Sequence, residues 1–301
     1  NLKLARNEEL KNLSKNNGYN FNFFKINIEN KDPIEKIFQK FEIDTVINLA
    51  AQAGVRYSLI NPDVYITSNI LGFSCLLEYC KKFEVKNLIY ASSSSVYGGN
   101  TKIPFNENDS VNHPVSLYAA TKRTNELMAH TYSHLYGIPT TGLRLFTVYG
   151  PWGRPDMAPM LFANGIISKE KIRINNNGDM SRDFTFIDDV IEIIFRLLFK
   201  PATSFNNFDK NKPEASLSWA PHRIFNIGNS KSINLMDFIK ALENELGVNS
   251  IKEFAPMPNG DVKDTFANTD AIESWVGFKP NTSIEYGVKK FINWYKSYYK
   301  I

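Results

Sequence analysis

The chain has 301 residues, 43% of them hydrophobic, which is enough for one large or two modest domains with a buried core. Its net charge of +4 is mild, and basic and acidic residues are interspersed, which argues against a nucleic-acid-binding surface. No apolar run reaches the roughly 18 residues of a transmembrane helix. Cys75 and Cys80 lie in one helical stretch, where they cannot easily bridge. We therefore expect a soluble cytoplasmic protein with reduced, buried thiols and with neither a membrane nor a nucleic-acid partner.

Strands and helices alternate along the first half of the chain. The helical stretch at 62–83 carries apolar residues at helix spacing, and the next helical stretch ends before Gly137 and Pro139. The predicted elements are, in order, a strand at 44–50, a helix at 62–83, a strand at 86–92, a helix at 114–137 and a strand at 140–150. This alternation predicts an α/β fold with a parallel sheet wrapped on both faces, whose ligands bind at the carboxyl ends of the strands.

The second half of the chain begins with a proline-rich turn, "PWGRPDMAPMLF". The run "FTFIDDVIEIIFRLLF" then predicts a strand followed by a helix. Residues 200–222 read as a long polar loop, a further helix is expected to begin near Ser232, and "SIEYGVKKFINWYKSYY" predicts an amphipathic terminal helix. These elements predict a second, smaller unit.

The stretch "SLYAATKRTNE" places Tyr118 and Lys122 at positions i and i+4 of a predicted helix, and therefore on one face. A nearby ammonium lowers the pKa of a phenol, because it favours the phenolate. A phenol with a lowered pKa can act as a general base near neutral pH. Such a pair also occurs by chance on helix surfaces, so the pattern alone leaves both interpretations open.

The stretch "YASSSSVYG" places four serines at the end of an apolar strand. A doubly wound sheet positions its chemistry at that edge, and hydroxyl groups there can hold a substrate hydroxyl beside a phenol. The alternative is an ordinary serine-rich turn. The order of strand end, serines, Val96, Tyr97 and Gly98 favours the functional interpretation.

Five motifs together resemble the extended short-chain dehydrogenase/reductases, the NAD-dependent epimerase/dehydratase family of nucleotide-sugar enzymes. They are "INLAAQAGVRYS", "YASSSSVYG", "SLYAATK", "LRLFTVYGPWGRPDMAP" and "SRDFTFIDDV". The resemblance runs from about residue 20 to residue 300. Within the family, "AAQAGVRYS" and "FTVYGPWGRPDMAP" are most similar to UDP-glucuronate 4-epimerases. Galactose epimerases usually have Asn where this chain has Thr147, and 4,6-dehydratases usually carry acidic residues in the serine motif.

The resemblance implies a Rossmann-type doubly wound sheet with a smaller mixed α/β domain. Residues 1–150, with 184–228 partly returning to them, would bind the dinucleotide, while 151–183 and 229–301 would bind the nucleotide-sugar. The implied reaction is 4-epimerisation of UDP-glucuronate to UDP-galacturonate, for a surface-polysaccharide precursor. C4 is oxidised by NAD, the keto-sugar rotates, and it is reduced from its other face.

The resemblance also implies roles for individual residues. The catalytic residues would be Ser93, Tyr118 and Lys122. NAD would contact Asn27, Ile28, Leu49, Ala50, Ala51, Asn69, Ala91, Tyr118 and Lys122. The sugar nucleotide would contact Gln52, Arg56, Ser93, Ser94, Ser95, Thr147, Arg154, Met157, Arg182 and Asp261. No metal site is expected, since His130 and His134 lack the Glu of a zincin motif.

The resemblance also suggests which part of the ligands some of these residues would contact. Thr147 and Ser94 could donate hydrogen bonds to a uronic acid carboxylate, with Arg154 as a charged partner that could instead line the nucleotide. Arg182 would meet the pyrophosphate, and Asp261 would lie near the nucleotide ribose. Asn69 could lie behind the nicotinamide ribose, bond internally to the sheet backbone, or do both.

The family's G-x-x-G-x-x-G turn does not occur in this sequence. On that pattern we expect a chain truncated before its first residue, which would bind NAD poorly. Three alternatives stay open, namely another UDP-sugar 4-epimerase, a UDP-glucuronate decarboxylase, and a non-catalytic remnant that binds nucleotide-sugar.

Relatives imply a homodimer that pairs the helices containing Phe73 and Leu127 into a four-helix bundle. His130 and His134 are expected on the outer helix face, where that pairing occurs.

Overall fold

The structure is a computed structural model that describes residues 2–258 and 260–301. The α-helices are α1 (Leu2–Asn17), α2 (Lys31–Lys40), α3 (Val55–Ser58), α4 (Pro62–Tyr65), α5 (Gly72–Lys82), α6 (Leu117–Tyr136), α7 (Ala158–Ile167), α8 (Ile187–Leu198), α9 (Leu235–Leu246), α10 (Asp270–Val276) and α11 (Ile284–Tyr299). The strands are β1 (Thr45–Asn48), β2 (Asn87–Ala91), β3 (Thr140–Leu145), β4 (Thr147–Tyr149), β5 (Lys171–Ile174), β6 (Ser181–Arg182), β7 (Phe184–Phe186), β8 (His222–Ile227), β9 (Ile233–Asn234) and β10 (Ile251–Phe254). Among the residues so described, no helix combines the length and apolar character needed to span a bilayer.

The central sheet has the strand order β1-β2-β3-β8, and every pairing in it is parallel. Asn48 pairs with Tyr90, and Ala91 pairs with Leu143, so the carboxyl ends of the strands lie at one edge. The predicted α/β fold with a parallel sheet is confirmed. The turns that follow β1, β2 and β3 all open onto this edge.

Both faces of the sheet are covered, as the alternation of side chains in β2 requires. Leu88 and Tyr90 join a core cluster with residues of α2, α5 and α6. Ile89 points the other way and packs with residues of α8, β8 and α10. A strand buried on both faces explains why "NLIYA" is a continuous apolar run rather than an alternating one.

A second core lies between α7, α9, α11 and the short strands β5 and β7. Its centre is a stacked pair of rings, Phe184 and Phe238, whose centroids are 4.1 Å apart. Strand β5 pairs in parallel with β10, and β4 pairs in parallel with β7. The terminal helix α11 begins at the Ser283 cap, whose side chain accepts from the Tyr286 amide.

Three predicted elements differ from the observed ones. The helix predicted at 62–83 is interrupted by a π-helix at Ile66–Leu71, so Ile66 is exposed although it fits the apolar spacing. The strand predicted at 140–150 is two strands, because the chain leaves the central sheet after Leu145 and pairs with β7 instead. The helix expected near Ser232 begins at Leu235, capped by Asn234. The two cysteines are buried and free, as predicted.

A buried ion pair joins α6 to β3. Arg144 donates to Glu126 through Nε at 2.9 Å and through Nη2 at 3.0 Å, and both side chains are almost wholly inaccessible. Arg144 also donates to the Tyr97 hydroxyl and to the Glu107 carbonyl, each at 3.1 Å. Nearly all of its donors therefore have partners, which is the condition under which a buried charge is tolerated.

We expect Arg144→Met to lower the free energy of unfolding by about 3–5 kcal/mol, because it leaves Glu126 buried without its principal counter-charge. Urea denaturation monitored by circular dichroism measures this change. The matched control is Lys86→Met, which breaks an exposed pair with Asp44 and should leave the midpoint unchanged. Equal midpoints for Arg144→Met and the wild type would contradict this account of the pair.

Candidate active site

The serine run turns the chain at the end of β2. Ser93 is extended, and its Oγ accepts a hydrogen bond from the Ser95 amide at 3.2 Å, which caps the 3₁₀ helix Ser94–Tyr97. Ser93 and Ser95 also contact each other through their hydroxyls at 3.1 Å. Gly98 then adopts φ +54, and a Cβ there would lie 2.1 Å from the His113 carbonyl oxygen. The motif therefore folds as a compact turn at the sheet edge, and its last glycine is required for close backbone approach.

Helix α6 presents Tyr118 and Lys122 to this turn. The helix begins at Ser116, whose Oγ accepts from the Ala119 amide at 3.1 Å, so Tyr118 lies in its first turn. Lys122 is buried, and its Nζ donates to the Ala91 carbonyl oxygen at 2.7 Å. The Tyr118 ring packs edge to face against Tyr65, with centroids 6.1 Å apart. The predicted pair thus lies on one face, directly against the end of β2.

The pKa of Tyr118 is raised from its ordinary value, chiefly by burial. A hydrogen bond with the Ser93 side chain and the positive charge of Arg154 act in the opposite direction. Lys122 is not among the groups that shift this pKa, and its ammonium donates to the Ala91 carbonyl, so tuning of Tyr118 by Lys122 stays a prediction. Ser93 and Arg154 are the groups that favour the phenolate here.

Asn69 lies in the π-helix and fixes the loop that follows β1. Its Nδ2 donates to the Gln52 carbonyl at 3.0 Å and to Thr121 Oγ1 at 3.0 Å, while its Oδ1 accepts from the Gln52 amide at 2.8 Å. The Asn69 carbonyl accepts from Asn125 Nδ2 at 2.7 Å. The internal partner is thus the backbone of a loop and not of a sheet strand. This arrangement holds Gln52 beside the helix that carries Tyr118.

Arg154 lies in the proline-rich turn, within electrostatic reach of the Tyr118 phenol. Its guanidinium meets the Asp156 carboxylate through Nε at 3.1 Å and through Nη2 at 2.5 Å, and Nη2 reaches the Ala53 carbonyl at 3.4 Å. The Met157 amide donates to the Arg154 carbonyl at 3.2 Å, and the Met157 side chain is exposed. The geometry of Arg154 is that of a guanidinium already engaged with a carboxylate.

Thr147 is half-buried at the start of β4, where its amide donates to the Asp183 carbonyl at 3.1 Å.

Arg56, Arg182 and Asp261 form a second charged group. Arg56 Nη2 donates to Asp261 Oδ2 at 2.9 Å. Arg182 donates to three carbonyls, those of Ser181, Lys263 and Val262, at 2.7–2.8 Å. Burial lowers the pKa of Arg182, and Arg56 adds to that effect, while Asp261 and Asp264 oppose it. The predicted pyrophosphate arginine is thus engaged with the loop around Asp261.

The other predicted contact residues lie at different distances from this centre. Ala91 ends β2, Ser94 is half-buried in the 3₁₀ turn, and Leu49, Ala50 and Ala51 follow β1, with Leu49 exposed. Asn27 is exposed in the turn before α2. Ile28 is partly buried instead, close enough to Gly72 that a Cβ there would lie 2.5 Å from it. Ile28 is therefore a packing residue of the core.

His130 and His134 contact the long loop at 200–222. His130 Nε2 lies 2.8 Å from Ser218 Oγ, and Trp219 donates from its indole to His134 Nδ1 at 3.0 Å. His222 packs edge to face on His130, with centroids 5.3 Å apart. His130 is partly buried by this loop, whereas His134 stays exposed beside it, so the expected outer-face position holds for His134 and the pairing there stays a prediction.

Sequence reasoning missed Glu126, Tyr65 and Arg6. Glu126 had a signal, since it stands four residues after Lys122 in the same stretch. Tyr65 donates to the Gly54 carbonyl at 2.5 Å and supports the Tyr118 ring. Arg6 of α1 donates to the Trp152 carbonyl and, at 3.0 Å, to the Gly153 carbonyl. No sequence pattern marks the partners of Tyr65 and Arg6, because these partners are backbone carbonyls distant along the chain.

We expect Lys122→Met to stabilise the protein at pH 7. Burial lowers the pKa of Lys122 to about 8 from an ordinary 10.5, so below pH 8 the folded state carries a buried ammonium at a cost. That cost disappears as pH rises from 8 to 10.5. The gain in the free energy of unfolding should be about 1–3 kcal/mol at pH 7 and smaller at pH 10.5. Urea melts at both pH values test this, with the exposed Lys289→Met as control; a gain that did not shrink at pH 10.5 would contradict it.

Comparison with known sequences supports the predicted resemblance. The profile of the NAD dependent epimerase/dehydratase family matches residues 2–228. The protein CapI of Staphylococcus aureus is 51% identical over 295 residues, which cover 98% of this chain and 87% of that protein. A probable UDP-glucuronate 4-epimerase of Rhizobium meliloti is 46% identical over 274 residues, which cover 91% of this chain and 80% of that protein.

Solved structures share the fold over almost the whole chain. The UDP-glucuronic acid 4-epimerase of Bacillus cereus, in complex with UDP-glucuronic acid and NAD, aligns with a TM-score of 0.79 and 31% identity, over 95% of this chain and 85% of that one. The UDP-glucose 4-epimerase of Thermotoga maritima, with UDP-glucose, aligns with a TM-score of 0.83 and 25% identity, over 97% and 95%. The chain belongs to the NAD dependent epimerase/dehydratase family.

Proposed function

We propose that this chain interconverts UDP-glucuronate and UDP-galacturonate by epimerisation at C4 of the sugar. The observation that carries the proposal is the meeting of Ser93, Tyr118 and Lys122 at the end of β2, with Arg154 within electrostatic reach of the Tyr118 phenol. The names of the Rhizobium meliloti and Bacillus cereus relatives support the choice of reaction and sugar.

Tyr118 acts as the general base and acid of the reaction. Its hydroxyl takes the proton of the C4 hydroxyl and later returns it. Ser93 lies close enough to this phenol to lower its pKa, so it favours the phenolate, and we propose that it also orients the substrate hydroxyl. Positive charge from Arg154 acts in the same direction. Burial of the phenol opposes both effects and raises the pKa.

NAD is the cofactor of the family, and the residues at the end of β2 fit its nicotinamide ribose. The Lys122 ammonium has three donors, and the Ala91 carbonyl takes one of them. The other two can meet ribose hydroxyls, with Asn69 holding the loop beside them. When bound, NAD⁺ would supply the hydride acceptor for oxidation at C4 and, as NADH, the hydride donor for the reduction, while the hydroxyl proton goes to Tyr118. Lys122 positions the cofactor without carrying a proton to the sugar.

The carboxylate of a uronic acid must be held throughout the reaction. Oxidation at C4 makes the sugar a β-keto acid, which loses CO₂ readily if the carboxylate reaches the breaking geometry. We propose that Arg154, Thr147 and Ser94 hold it. Arg154 already engages the Asp156 carboxylate through two donors, so a substrate carboxylate can take the place of Asp156 without reorienting the guanidinium.

The two cores of the chain support a division of labour. We propose that 1–150 and 184–228 bind NAD, and that 151–183 and 229–301 bind the nucleotide-sugar, with Arg182 and Asp261 at the entrance. The central sheet, including β8, falls in the first group, and α7, α9 and α11 fall in the second, whose core also takes in Phe184 from the first. Helix α10 packs back on β8 and α8.

We also propose a homodimer in the cytoplasm. The outer faces of the π-helix and of α6 expose Leu71, Leu127 and Leu135, each more than half accessible, and such a face suits pairing with a second copy. Phe73 takes no part, because it is buried in the core. The free, buried thiols Cys75 and Cys80 are typical of a reducing compartment.

The function is tested by proton NMR of UDP-glucuronate incubated with the protein and added NAD⁺. We expect the H1 and H4 signals of UDP-galacturonate to appear, and Tyr118→Phe to lower kcat by about 10²–10⁴-fold because the base is lost. The control is Tyr286→Phe, an exposed tyrosine of α11, which should leave kcat unchanged. A UDP-pentose as product would replace epimerisation with decarboxylation, and an unchanged substrate would remove the assignment of this sugar.

We expect Arg154→Met to weaken binding of UDP-glucuronate by about 10–100-fold, the worth of a hydrogen bond to a charged group. Binding of UDP-glucose, which lacks the carboxylate, should change less than about threefold. Calorimetry in the presence of NAD⁺ measures both, and Arg173→Met, an exposed arginine of β5, is the control. If both ligands weakened equally, Arg154 would bind the nucleotide instead of the carboxylate.

A further inference from the structure

Consecutive residues at the end of β2 meet side chains at consecutive turns of α6. The Ala91 carbonyl accepts from Lys122, and the Ser93 side chain lies close enough to the Tyr118 phenol to lower its pKa. Between Ala91 and Ser93 stands one residue with no assigned role in the reaction. The geometry of the proposed site depends on the positions of Ala91 and Ser93. A contact that holds the residue between them in place therefore also holds the site in place.

That residue is Ser92, which is buried and donates from Oγ to Glu126 Oε1 at 2.6 Å. Glu126 lies at i+8 from Tyr118 on α6, about 12 Å along the same helix face. The Ser92 amide donates to the Leu143 carbonyl at 2.8 Å, at the carboxyl end of β2. The hydrogen bond from the Ser92 hydroxyl therefore restrains the chain at the point where the sheet hydrogen bonds of β2 end.

Glu126 is a firmly held acceptor. Besides Ser92, its two oxygens accept from Arg144 Nε at 2.9 Å, from Arg144 Nη2 at 3.0 Å and from Arg123 Nη1 at 2.8 Å. Each oxygen thus has two donors. Burial alone would raise the pKa of Glu126, but Arg144, Ser92 and Arg123 outweigh it and lower the pKa. The group stays a carboxylate, and the bond from Ser92 is charge-assisted.

We propose that Ser92 is a positioning residue: its hydroxyl, anchored on Glu126, holds the end of β2 so that Ser93 reaches Tyr118 and the Ala91 carbonyl reaches Lys122. Ser92 touches neither substrate nor cofactor and acts through its two neighbours. The kinetic part of this inference rests on the proposed epimerisation, whereas its structural part does not.

The kinetic test compares Ser92→Ala with the wild type in the UDP-glucuronate assay. We expect kcat to fall about tenfold with KM within twofold, since a displaced catalytic group slows the chemical step more than it weakens binding. The rising limb of kcat against pH should move to higher pH, because the Ser93 hydrogen bond favours the Tyr118 phenolate. Ser133→Ala is the control: this buried hydroxyl of α6 has no partner among the described residues, and its removal should change neither quantity.

A second test needs no substrate. The Ser95 amide donates to Ser93 Oγ, so its hydrogen exchange reports where the Ser93 side chain lies. We expect exchange at Ser95 to become about tenfold faster in Ser92→Ala and to stay unchanged in Ser133→Ala. Ser92→Cys keeps the side-chain volume and a weak donor, so its exchange rate and kcat should fall between those of Ser92→Ala and the wild type. This variant keeps the test available if Ser92→Ala does not fold.

The outcomes separate the two proposals. If the wild type leaves UDP-glucuronate unchanged while exchange at Ser95 still accelerates in Ser92→Ala, the assigned reaction fails and the positioning role stands. If exchange, kcat and the pH profile all match the wild type, the positioning role is overturned. A rise in KM at constant kcat also overturns it, since Ser92 would then serve ground-state binding.

Discussion

The buried pair of Arg144 and Glu126 is the contact on which the geometry of the candidate site depends. Neither charge can leave the interior, so each must be satisfied where it stands, and that requirement fixes the helix and the strand that carry them. Glu126 belongs to the helix that presents Tyr118 and Lys122, and Arg144 belongs to the strand next to the one that carries the serines. A shift of α6 along the sheet would break two hydrogen bonds between full charges at once.

The hydrogen bonds of this pair continue into a network that reaches β8. Arg144 donates to Tyr97, and the Tyr97 hydroxyl donates to Asn226 Oδ1 at 2.6 Å. Asn226, on β8, donates from its amide to Glu107 at 2.9 Å. The chain of bonds therefore crosses from α6 through β3 to β8, behind the serine turn. It links the helix that carries Tyr118 to two strands of the central sheet through successive hydrogen bonds.

The sequence predicted the elements that depend on local pattern and missed those that depend on distant partners. The parallel sheet, α6 and the shared face of Tyr118 and Lys122 follow from periodicity and helix spacing, and the structure contains them. The π-helix at Ile66–Leu71 does not follow, because it forms where the Asn69 backbone and side chain bond to Asn125 and Gln52. The surroundings of the Tyr118 phenol could not be predicted from the i, i+4 pair either, since the Lys122 ammonium donates to the carbonyl of Ala91, at the end of β2.

Lys122 illustrates both the stability cost of burying a cation at this site and a reason why a protein can tolerate one. Burial depresses its pKa to about 8, and a carbonyl gives it less compensation than the carboxylate that Arg144 has. The Ala91 carbonyl takes one of the three ammonium donors of Lys122. The two buried cations therefore differ: Arg144 is paired with a carboxylate through two hydrogen bonds, whereas Lys122 donates to a neutral carbonyl. The buried Lys122 ammonium lowers the stability of the folded chain. The chain tolerates this cost because the Arg144–Glu126 pair, one helical turn further along, holds α6 and β3 in place.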